Sequence, residues 1–108
     1  MKNCWHHLVS PHGEYEIFST SDERNWNDAN GHYWGFGDRE GQIEVGESGE
    51  RICKFPMNSN ATDPWHGYPV SPAQTGDRDA PPDELISRWL IDNAITRVFA
   101  RRIQRRKI

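Results

Sequence analysis

The 108-residue chain is short of cysteine, of long apolar runs and of apolar residues in general. Two cysteines, Cys4 and Cys53, are too few for a disulfide framework. No apolar run is longer than a stretch such as Trp89-Leu90-Ile91, far below the length of a membrane span. The segment Met1 to His7 carries a charge but no apolar core, so no secretion signal and a cytoplasmic location away from membranes are expected. Hydrophobic residues make up only 34 %, and mean hydropathy is −0.93. Chains of this polarity are disordered when they also lack large rings. This one has five tryptophans, three tyrosines and four phenylalanines, enough to core one small domain and too little for two.

Charge is unevenly placed. Residues 1–96 hold all sixteen acids against seven bases, a net −9, whereas residues 97–108 hold six bases and no acid. An acidic body with a basic end attracts two kinds of partner, or folds the end back on the body.

Texture divides the chain into three parts: 1–56 β-rich, 57–82 a long loop, and 83–108 helical with a basic arm. In the first, Glu14-Tyr15-Glu16-Ile17 alternates polar with apolar residues, which reads as a strand. His32 to Phe36, Gln42 to Val45 and Arg51 to Phe55 read as further strands, joined by glycine-containing turns into an antiparallel meander. In the second, Pro56, Pro64, Pro69, Pro72, Pro81 and Pro82 exclude regular structure, yet Trp65, Tyr68 and Val70 suggest packing on the body. Gln74 to Ala80 reads as a mobile polar stretch. In the third, Pro81-Pro82-Asp83-Glu84 is a helix entry, with proline in the first turn and acids at the positive end of the dipole. Leu85/Trp89 and Ile86/Leu90 form one apolar face, Asp92-Asn93 a stop, and Thr96 an N-cap for a second helix. On that helix Ile95, Phe99 and Ile103 share a sector while Arg97, Arg101 and Arg105 line the opposite side. The expected fold is α+β: a small antiparallel sheet of three to four strands with two C-terminal helices on one face.

Chemistry-bearing patterns are sparse. Cys4, His6, His12 and Cys53 are zinc-ligand types, but their spacing matches no paired-ligand signature, and no metal or other cofactor is expected. The glycine-rich run Gly35 to Gly41 lacks the Lys-Ser/Thr of a phosphate loop and reads as a turn. The loop Asp63 to Pro69 offers stiff rings for docking, with Trp65 and Tyr68 the anchors. The arginine stripe Arg97, Arg101 and Arg105 suits a protein or nucleoprotein partner, and RNA contact through it is a further expectation. The acids from Glu14 to Glu50 suggest a negative face able to imitate nucleic acid, as an inhibitor of phage type does. The composition thus points to a non-enzymatic interaction or regulatory protein. The alternative is a small histidine-dependent ribonuclease or related toxin, with His66 and His32 as proton carriers and Arg39 as the cation.

Overall fold

The computed structural model describes residues 4–57 and 66–108. Its elements are α1 (Pro11–Glu23), β1 (Tyr33–Phe36), β2 (Ile52–Phe55), β3 (Tyr68–Val70), α2 (Pro72–Thr75), α3 (Asp83–Ile91) and α4 (Arg97–Gln104). The strands pair antiparallel in the order β1-β2-β3, with Gly35 opposite Cys53 and Cys53 opposite Pro69. The expected α+β meander is present, but some of its pieces come from other stretches of sequence.

Residues 14–17 are helical, not extended. Ser10 caps α1 by accepting the Gly13 N–H at 3.0 Å, and Pro11 occupies the first turn. His12 and Glu16 then meet at 3.0 Å one turn apart. A Ser-Pro entry followed by an i,i+4 pair marks a helix start and outweighs a four-residue alternation, which is too short to decide. Gln42 to Val45 is no strand; Val45 instead donates to Glu50 O, and Gly46 bridges Trp5.

The third strand comes from the proline-rich stretch. Alternation along β2 turns the ring nitrogen of Pro69 to the outer edge of the sheet, where its missing N–H removes no ladder bond. Gln74 to Ala80 is ordered as the end of α2 and a 3-10 turn, Gly76–Asp79.

Both faces of the sheet are covered. Trp34, Ile52 and Val70, with half-buried Phe36, meet Leu85, Ile86, Trp89, Ile95, Phe99 and Ile103 from α3, α4 and their connection. Phe36 stands edge-on to Trp89 and Phe99, with ring centroids at 5.0 and 5.9 Å. On the opposite face Cys53 and Phe55 meet Val45, Trp5, Ile17 and Phe18. The C-terminal helices cover one face as expected, and α1 covers the other.

The C-terminal helices follow the sequence reading. Leu85, Ile86, Trp89, Phe99 and Ile103 are buried, and Thr96 Oγ1 accepts the Phe99 N–H at 3.2 Å. α1, α3 and α4 each end with a left-handed residue, Asn25, Asn93 and Arg106. In each, the N–H groups of that residue and of the one after it return to carbonyls of the last turn, for α3 Asn93 to Leu90 and Ala94 to Trp89.

Candidate functional site

α4 offers its apolar sector to the core through Phe99, Ala100 and Ile103, which leaves Arg97, Arg101 and Arg105 exposed on the far side. Among the described residues these three arginines make no ion pair. Arg102 and Arg106, placed by their angles beside the apolar sector, are half-buried. Arg106 folds back, its guanidinium donating to Asp77 Oδ1 at 2.7 and 3.1 Å. The basic end is thus split: one arginine is spent on the body, and a stripe of three is left to solvent.

A groove of about 690 Å³ runs beside this stripe, lined by Arg97 and Arg101, by Ile91 at the end of α3, and by Arg39. Arg39 arrives from the β1–β2 connection. It is tied to the α3–α4 turn by its Nε donating to Asn93 O at 3.0 Å, a second bond to Asn93 Oδ1, and its own carbonyl accepting Thr96 N–H. The fold thus joins Arg39, 58 positions away from Arg97 in the chain, to the α4 stripe. No local signal announces that convergence, since it depends on where the β1–β2 connection crosses the helix turn.

The histidines are distributed differently. His32 and Arg39 lie off opposite ends of β1, a strand of four residues spanning about 13 Å. His32 Nδ1 accepts the Met57 N–H at 2.9 Å, so this nitrogen serves the backbone. His66 is exposed before β3, at the same end of the sheet as His32 but separated from it by β2. Its charge acts on Glu14, opposing the burial that raises that carboxyl above its usual range. His66, His32 and Arg39 are therefore not gathered into one site.

Tyr68 is half-buried in β3 against the main core, and burial, with Asp79 adding to it, pushes its phenol upward. It serves the fold rather than standing free as a docking ring. Trp65, its expected companion, lies outside the described residues. Cys4 is exposed and Cys53 fully buried in β2, while His6 Nδ1 accepts the Leu8 N–H and His12 pairs with Glu16. Among the described residues no three His, Cys, Asp or Glu side chains converge as a metal site.

Several acids expected on a negative face turn to internal duties. Asp28 accepts from Asn30 N, His32 N and Trp34 Nε1, and Asp38 from Gln42 N and Ile43 N. Glu50 is buried, one oxygen accepting Ser48 N at 2.8 Å. Among the described residues no helix is long and apolar enough to cross a membrane. Comparison with protein-family models, with curated proteins and with solved structures finds no match to this chain.

Proposed function

We propose that this chain is a non-enzymatic docking protein that engages a macromolecular partner through the solvent face of α4. The observation that carries this reading is the stripe of exposed Arg97, Arg101 and Arg105, which has no carboxylate partner among the described residues. Guanidinium groups held one turn apart on a helix locked by its other face lose little freedom on binding, and arginine is prominent among interface hot spots. The separation of His66, His32 and Arg39 favours docking over the acid–base alternative.

The test is capture of partners from host lysate by wild type, Arg101→Glu and Trp65→Ala, with circular dichroism to verify folding. A partner held by wild type and lost with Arg101→Glu is expected, because position 101 is exposed and the substitution reverses its charge. Equal capture by all three overturns the reading. So does hydrolysis of RNA by the purified chain at pH values between about 5 and 9 that disappears with His66→Ala.

A further inference from the structure

We infer that the groove between the α3–α4 turn and α4 recognises an acidic peptide segment bearing an aliphatic anchor, presented by a partner protein. This rests on the docking reading above and gives its partner a chemistry. Two properties of the groove combine to select that chemistry.

The first is uncompensated positive charge. Arg97 and Arg101 stand one turn apart, about 6 Å along the axis, and Arg39 lines the same groove. Arg39 is fixed by Asn93, which orients its guanidinium while leaving further N–H groups for an acceptor. The neighbouring carboxylate of Asp92 is engaged elsewhere, accepting Trp26 Nε1 at 3.2 Å. A ligand with spaced carboxylates supplies the missing counter-charge.

The second is aliphatic surface set among those cations. Ile91 is 83 % exposed, on the side of α3 turned away from the buried face of Leu85, Ile86 and Trp89. Charge alone would suit a phosphate backbone equally well, so the apolar component decides. Single-stranded nucleic acid is held by aromatic platforms as well as cations. Among the described residues the exposed large apolar side chains are Leu8, Tyr15, Ile43, Met57, Ile91 and Val98. The one ring in that set, Tyr15, sits on α1, across the sheet from the groove. Aliphatic carbon beside guanidinium groups matches an amphipathic acidic peptide.

The experiment uses the full chain and fluorescence anisotropy with four labelled probes of equal length. These are a Glu/Leu peptide with leucines at helical spacing, the same peptide with Ser for Leu, the same with Lys for Glu, and a single-stranded RNA. The Glu/Leu peptide is expected to bind best. Arg101→Glu should weaken it by roughly tenfold or more, the equivalent of one lost charge-assisted contact. Ile91→Ser, a change at an exposed position, should weaken it by roughly three- to tenfold. Equal affinity for the Ser-containing peptide, or no binding of the Glu/Leu peptide, overturns the inference. Tighter binding of RNA that depends on Arg101 and ignores Ile91 also overturns it, while leaving the docking reading in place. Indifference of every probe and of every captured partner to Arg101→Glu brings down both.

Discussion

Ser21 Oγ lies 2.8 Å from the carbonyl oxygen of Trp34, a buried contact between the last turn of α1 and the edge strand β1. The N–H of the same Trp34 donates to Trp26 O at 3.1 Å. The segment from Ser21 to Trp26 therefore satisfies the outward groups at the middle of β1, which would otherwise be an open edge. Gly35 makes the approach feasible: a Cβ there would meet Ile17 Cγ2 at 2.6 Å and Ser21 Oγ at 3.1 Å.

Ser21→Ala is accordingly expected to cost about 1–3 kcal/mol, because it strands a buried carbonyl. Gly35→Ala should cost a similar amount, about 1–3 kcal/mol, by forcing α1 off the sheet. In urea denaturation, Gly35→Ala combined with Ile17→Ala should be less destabilised than the sum of the single changes, since the second removes the atom the first collides with. Strict additivity would show that α1 and β1 are not in this contact.

Burial pushes the Cys53 thiol far above the ordinary cysteine range, outweighing the Gly35 backbone bond that acts the other way. The folded chain keeps that proton, whereas the unfolded chain releases it near about pH 8.5. Stability should be fully present below that pH and decline as pH rises above it. Tyr33 and Tyr68, raised chiefly by burial, add a slope of the same sign above about pH 10. Denaturation midpoints for wild type and Cys53→Ala measured from neutral to alkaline pH should differ in slope, the variant being flatter. Under native conditions iodoacetamide should modify exposed Cys4 and spare Cys53, with both modified in denaturant; native double modification would contradict the burial.

Arg106 holds a left-handed backbone at φ 58° after α4. A glycine adopts that conformation freely, and an alanine does not. Arg106→Gly should therefore exceed Arg106→Ala in stability by about 1 kcal/mol, the reverse of their order inside a helix. The ion pair lost in both variants matters less, since the Asp77 side chain is 91 % exposed. Asp77→Asn should leave the thermal midpoint nearly unchanged. A large drop there would reassign the role of Arg106 from backbone shape to electrostatics.

Arg88 clamps α3 to the segment after α1, donating to Asn25 O at 2.7 Å and also to Asn27 O. A planar guanidinium reaches both carbonyls at once, and an ammonium does not. Arg88→Ala should cost at least about 2 kcal/mol, and Arg88→Lys should restore less than half of it. Full rescue by lysine in chemical denaturation would remove the geometric argument.

The local code was sufficient for α3 and α4. Their apolar periods are sustained for two turns or more, their entries carry proline, acids or a threonine cap, and their exposed arginines follow from the same period. Such information lies within a few residues and survives whatever the rest of the chain does. It also specified β1 and β2 through their aromatic and β-branched residues, with ends within a residue of those observed. α1 was harder, because its buried face is narrow: Ile17, Phe18 and Ser21 meet the sheet while Tyr15 and Glu16 face out, and the run Glu14 to Ile17 alternates like a strand. Packing against Gly35 favours the helix, and that glycine is remote in sequence.

Tertiary structure alone decided what the arginines can do. Sequence placed Arg97, Arg101 and Arg105 on one side of a helix, but only the fold brings Arg39 to the same groove and leaves Ile91 uncovered beside it. It also committed one or more carboxylate oxygens of Asp28, Asp38 and Glu50 to nearby N–H groups, and set His32 and Arg39 at opposite ends of one strand. Periodicity reports which way a side chain points from its own element. Which charges share a surface depends on how distant elements cross, and the burial of their apolar faces against one another fixes that.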